Sequence, residues 1–193
     1  MAKLLHWTIA ALFAASYVSI YYRHWFTGER SESWLLSGQV HRCVGISIGA
    51  FVVLRIAWRF YSAPPQLPSG PRWERLAARS AHYALYFFMI MMPLTGYLGT
   101  DAPTGVGWLA VPNFADTQFF AWLSGGVVGF DEWERPLDFF HRRIGGALLV
   151  WILILIHVSA ALYHHFGKND AVLARMLPMA GGNGAETGPG PRG

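Results

Sequence analysis

The stretch FFHRRIGGALLVWILILIHVSAALYHHF, Phe139–Phe166, decides the fold. Its run Ile144–Tyr163 has no formal charge and is long enough to cross a bilayer core, which takes about 20 residues at about 1.5 Å rise each. One ionisable side chain, His157, stands inside the run; His141 stands at its entry, and His164 and His165 at its exit. A polar side chain at membrane depth is costly, so it faces the bundle interior and has a partner there.

Three more apolar segments lie upstream. Leu4–Tyr22 is uncharged, with His6 near its start. Gly38–Tyr61 opens with Gln39, His41 and Arg42 and closes with Arg55 and Arg59, one helical turn apart and free to snorkel to the headgroups. Ser80–Gly99 carries His82 near its start and Pro93 inside, which predicts a kink. Between them, Arg23–Ser37 and the proline-rich Ser62–Arg79 (Pro64, Pro65, Pro68, Pro71) are predicted loops. Thr100–Asp138 is a long Gly- and Trp-rich connection in which Gln118–Leu123 is expected to form a helical turn at the membrane interface. The pattern predicts an all-α chain, a four-transmembrane-helix bundle over 1–178, with 179–193 a disordered Gly/Pro tail.

Composition agrees. Hydrophobic residues make up 53% and charged residues 13%, against about 25% charged in an average soluble protein. The net charge of +4 lies in loops and tails, so lipid headgroups explain it and no nucleic-acid module is present. Cys43 is the only cysteine, which excludes an internal disulfide or a cysteine-built iron–sulfur site. The N-terminal segment has no convincing small-residue cleavage pattern and is expected to be a retained membrane helix.

Orientation follows from Lys and Arg near the span ends. Lys3, Arg55, Arg59, Arg72, Arg75, Arg79, Lys168 and Arg175 share one side; Arg23, Arg30, Arg42, Arg135, Arg142 and Arg143 share the other. The excess predicts both termini in the cytoplasm. His6 and His157 then share the inner leaflet, and His41 and His141 the outer one. A lone histidine on an apolar helix is more often a hydrogen-bonded packing residue than a ligand. Two depth-matched pairs are what two bis-histidine haems need, one imidazole on each side of each iron. No carboxylate lies in the spans at either level, which favours haem over zinc. His82 is an alternative to His6, or a quinone-site residue, and His24 is an alternative to His141. His141 and His157 are 16 residues apart, about 160° round an ideal α-helix. Either the last span shows different faces to the first two, or Gly145–Gly146 or a π-bulge relaxes the phase.

LLHW (Leu4–Trp7), VHRCVGISIG (Val40–Gly49), LRIAWR (Leu54–Arg59), ARSAHYALY (Ala78–Tyr86) and above all IHVSAALYHHFGKNDAVLARMLP (Ile156–Pro178) resemble the bacterial cytochrome b561 family over residues 3–178. Its members include a membrane-bound superoxide oxidase. The resemblance implies a bacterial inner-membrane cytochrome with two b haems, His6 and His157 binding the inner one and His41 and His141 the outer one. The interval of 16 is longer than in the best-known members. Ubiquinone is the implied electron partner, with His164 near its pocket and Lys3, Trp73 and His82 at the same depth. Superoxide is the implied donor, and Arg42, Arg142 and Arg143 would form a cationic mouth that attracts it. A membrane-anchor cytochrome serving a partner dehydrogenase or hydrogenase is the competing expectation, with Thr100–Asp138 as docking face. A haem-free transporter is disfavoured, because no charged residue lies deep in the spans.

Overall fold

The computed structural model describes residues 1–62, 71–106 and 109–177. Pro64, Pro65, Pro68, Trp108 and the tail expected over 179–193 lie outside the described residues.

Helix α1 is Ala2–Phe26 and α2 is Glu32–Tyr61. Both outrun the predicted spans, and the expected loop Arg23–Ser37 shrinks to five residues. Ser31 explains the early start of α2: its hydroxyl accepts the Trp34 amide as an N-cap, and Glu32 follows in the first turn, where the helix dipole favours an acid. Arg23 lies over the Trp34 ring, 3.5 Å from guanidinium carbon to centroid. Helix α3, Arg72–Leu98, begins just after Pro71 rather than at Ser80. Residues 72–79, expected in a loop, form a charged, largely exposed opening to the helix.

Antiparallel strands β1 (Thr104–Val106) and β2 (Leu109–Val111) follow, paired Thr104 with Val111 and Gly105 with Ala110. Gln39 donates to the Gly105 carbonyl at 2.7 Å, which lays this hairpin over the early turns of α2. A 3-10 turn (Phe114–Asp116) leads to α4, Gln118–Ser124, where the short helical turn was expected. Phe114, Phe120 and Trp133 form an aromatic knot with ring centroids 5.5–5.8 Å apart, and the Trp133 indole donates to Leu98 at the end of α3.

The last rod is continuous over Phe130–Gly167. It consists of α5 (Phe130–Asp138), a π segment (Phe139–Leu149), α6 (Val150–Leu162) and a short π turn (Tyr163–Gly167). Pro136, which has no amide hydrogen, precedes the long π segment, and Gly145–Gly146 lies within it. Helix α7, Val172–Met176, completes the described chain.

Among the described residues, three helical stretches are long and apolar enough to cross a membrane: Ala2–Phe26, Glu32–Tyr61 and Phe130–Gly167. Helix α3 has 27 residues, but Arg72, Glu74, Arg75, Arg79, His82 and its tyrosines make it more polar. Lipid tails are as apolar as leucine, so such helices associate through close packing rather than water exclusion, and small residues mark their contacts. A Cβ at Gly49 would stand 3.6 Å from the Pro93 ring, and one at Gly145 2.5 Å from Met92 Sδ. Ile9, Ile48 and Val52, flanked by Leu12, Phe13, Val44 and Met89, form the apolar centre of the bundle.

The start of α1 is stitched to the segment around α7. Trp7 Nε1 donates to the Met176 carbonyl at 2.7 Å, and Lys3 Nζ to Leu177 at 3.3 Å. Lys168 pairs with Glu74, and His164 Nδ1 meets Asp170 Oδ2 at 2.5 Å. The hydrogen bond from His164 and the Val172 amide hold the Asp170 carboxyl below the usual carboxylate range. A lowered folded value means this contribution is full above the ordinary carboxylate range and is lost as pH falls through the lowered one. Hydrogen exchange at the Val172 amide, bound to Asp170 Oδ1, is expected to stay protected through mild acid and to accelerate only below that point. In Asp170→Asn the protection should be weaker throughout and no longer follow pH.

Candidate functional site

The histidines meet at two levels, separated along α1 and α2 by the Ile9–Ile48–Val52 centre. At the end bearing the start of α1 and helix α7, His6 of α1 and His157 of α6 have ring centroids 6.1 Å apart. At the hairpin end, His41 of α2 and His141 of the π segment stand 6.2 Å apart. An imidazole bound through one nitrogen at about 2 Å has its centroid about 3 Å from the metal, so two on opposite sides stand about 6 Å apart. Both couples have that spacing. His6 to Ser16, which touches His41, is ten residues, so the levels lie about 15 Å apart.

The π segment is how one rod serves both levels. Its turns take in more residues than α turns, so each step turns through less than 100°. Eight of the sixteen steps from His141 to His157 lie within it. Both imidazoles consequently lie against α3: His141 beside Thr95 and Gly96, His157 beside His82. Tyr17, donating to the Gly146 carbonyl at 2.9 Å, ties the π segment to α1.

Tautomers follow from the partners of the hairpin-end couple. His41 Nδ1 lies 3.1 Å from the Ser16 carbonyl, which only accepts. The Thr95 hydroxyl donates to Met91 O at 2.6 Å, so its oxygen accepts from His141 Nδ1 at 3.2 Å. Both Nδ1 atoms therefore carry the proton and both Nε2 lone pairs are free, the arrangement of metal-ligating histidines.

Among the described residues, no group of three or more His, Cys, Asp or Glu gathers as a metal site, and these histidines stand two by two. Two further features fit haem. Two buried side-chain nitrogens, Arg42 Nε and Arg55 Nε, have no hydrogen-bond partner among the described residues, and each stands at one level: Arg42 follows His41, and Arg55 acts electrostatically on His6 and His157. Such orphaned guanidinium atoms suit propionate groups. Helix α2 is also bare at Gly45, one turn beyond His41, where a Cβ would meet nothing within 4 Å.

The sequence model of prokaryotic cytochrome b561 matches residues 1–179. The chain belongs to that family. Cytochrome b561 homolog 2 of Escherichia coli (strain K12) is 34% identical over 145 residues, 72% of this chain and 69% of its own. Cytochrome b561 homolog 1 of the same organism is 29% identical over 175 residues, 90% and 93% of the two chains. A probable superoxide oxidase, CybB, of Yersinia pestis is 25% identical over 183 residues, 92% and 94%. Members bind haem b and carry electrons in bacterial membranes, so this is a lipid-embedded electron-transfer protein.

The alternative ligands fare differently in this cytochrome. His24 is exposed and touches neither couple. His82 stands 6.0 Å from His157, as close as His6 does, but is exposed and donates Nδ1–H to Ala78 of its own helix. His164, the expected quinone neighbour, pairs with Asp170 at the terminal end and joins neither couple. The cationic mouth has a different membership from that expected. A cavity of about 270 Å³ at the hairpin end is lined by Arg23, Arg42, Arg142 and Asp101, with Trp34 and Thr100; Arg143 is not part of it. Arg23 enters because Gly38 makes room, a Cβ there falling 2.3 Å from its Nη1. Sequence reasoning missed Arg23, Ser16, Thr95 and Gly96. None carries a motif, and each matters through a neighbour distant in sequence.

Proposed function

We propose that this cytochrome is a four-span protein of the bacterial inner membrane, formed as one domain over 1–178 with both termini cytoplasmic. In this reading it carries electrons from superoxide on the outer side to ubiquinone on the inner side through two b haems. Two superoxide ions give two O₂ and two electrons; ubiquinone takes those and two cytoplasmic protons to become ubiquinol. His6 and His157 hold the inner haem, His41 and His141 the outer one, and haem supplies the one-electron chemistry. The observation that carries the reading is the pair of imidazole couples at 6.1 and 6.2 Å. Helix α3 is taken as the fourth span because its Thr95 and His82 reach both levels.

Three guanidiniums around one cavity make an electropositive approach to His41. They attract a small anion and raise its encounter rate in a salt-dependent way. His164, with Lys3, Trp73 and His82 at the same end, is taken to border the ubiquinone site. A reduced-minus-oxidised spectrum with a haem-to-protein ratio tests the cofactors, and a ratio of two is expected. Stopped-flow haem reduction by superoxide tests the donor. Replacing Arg23, Arg42 and Arg142 together by glutamine should slow it about tenfold or more at low salt and flatten its salt dependence, with Arg143→Gln near wild type. Unchanged rates in the triple variant would remove steering from the account.

A second reading, the membrane anchor of a partner dehydrogenase or hydrogenase, draws on the exposed Phe119 and Trp122 of α4. Co-purification with a redox subunit, and no reaction of the lone chain with superoxide, would favour it.

A further inference from the structure

We propose that Thr95 is a positioning residue that lowers the outer haem's affinity for an electron by accepting the Nδ1–H bond of His141. The inference rests on the reading of His41 and His141 as ligands. Thr95 is 3% exposed, so water does not compete for its hydroxyl. The hydroxyl has one proton, shared between Met91 O at 2.6 Å and Met92 O at 3.3 Å on its own helix. Toward His141 Nδ1, 3.2 Å away, the oxygen can therefore only accept.

Two consequences follow for the imidazole. The proton is fixed on Nδ1, so Nε2 keeps its lone pair for a metal. The hydrogen bond also draws Nδ1–H toward oxygen and raises the basicity of Nε2. A more basic ligand would favour the oxidised metal, so the reduction potential would fall. Gly96 holds the ring against this acceptor: a Cβ there would stand 2.8 Å from His141 Cε1, so the imidazole lies flush on α3. On the partner ring, His41 Nδ1 lies 3.1 Å from both the carbonyl and the hydroxyl of Ser16, so the main-chain acceptor stays whatever side chain stands there. On His141, Thr95 is the side-chain acceptor, beside the main-chain carbonyl of Met92, and a substitution removes Thr95 alone. No comparable bond reaches His6 or His157 among the described residues, so a change at Thr95 should mark one haem and spare the other.

The test is a potentiometric titration of the purified holoprotein, followed in the visible bands, for Thr95→Val, Thr95→Cys and Thr95→Ser. Valine keeps the shape and loses the acceptor, cysteine keeps a weak one, and serine keeps the hydroxyl. Losing one hydrogen bond to the ligand is expected to raise the reduced-to-oxidised ratio of one haem about tenfold at fixed potential, equivalent to about 59 mV for one electron. The order expected is serine like wild type, cysteine between, valine highest, with two haems per chain throughout. Should the valine variant lose haem, the cysteine and serine variants still give the order. No shift in valine or cysteine with both haems retained, or an equal shift in serine, overturns the proposal. His141→Ala separates this from the reading beneath it. If that variant keeps two haems, His141 is not a ligand and the site reading itself fails; if it keeps one, a flat Thr95 series counts against Thr95 alone.

Discussion

His157→Ala is expected to take the haem-to-protein ratio from two to one and to abolish superoxide-driven ubiquinone reduction, while the outer haem keeps its spectrum. His157 is the one inner histidine that both candidate partners approach, His6 at 6.1 Å and His82 at 6.0 Å. Removing it leaves the inner level without an opposed couple whichever partner binds. The two single variants then separate the partners. His6→Ala should lose the same haem. His82→Ala should keep both, because the His82 ring is exposed whereas His6 and His157 are partly buried. The outer site lies about 15 Å away across packed apolar side chains, so it should not respond. Two haems in purified His157→Ala would remove the inner site from the account.

Gly96→Ala is expected to weaken the outer haem without touching a histidine. The new methyl would stand 2.8 Å from His141 Cε1 and 3.3 Å from Nδ1. The ring can relieve that contact only by leaving Thr95 and tilting away from its alignment with His41. Overpacking of this kind costs about 1–3 kcal/mol, which is roughly five- to hundredfold in affinity at about 1.4 kcal/mol per decade. Valine at the same position should empty the site. Gly129→Ala, whose Cβ would meet nothing within 4 Å, should bind both haems normally. The readout is the haem-to-protein ratio after purification in limiting haem. Full occupancy in Gly96→Ala and Gly96→Val would show that the seat of His141 on α3 does not hold the outer site.

What the sequence determined by itself is the set of long apolar helices and the depth of each histidine along them. Apolar run length fixes where the chain can sit in a bilayer, and a fixed rise per residue then converts residue number into depth. That is why His6 could be matched with His157, and His41 with His141, before any contact was known. The start of α3 was missed because its first turns are charged and follow a proline-rich stretch, so their helicity shows no apolar signature. Tertiary structure alone decided which way each ring turns. An ideal helix puts His141 and His157 about 160° apart; the π segment Phe139–Leu149 brings both against α3. The acceptors on Nδ1, the space left by Gly96, and the entry of Arg23 in place of Arg143 were equally beyond one-dimensional reading. Depth is a property of one helix, whereas azimuth and hydrogen-bond partners belong to the packing between helices.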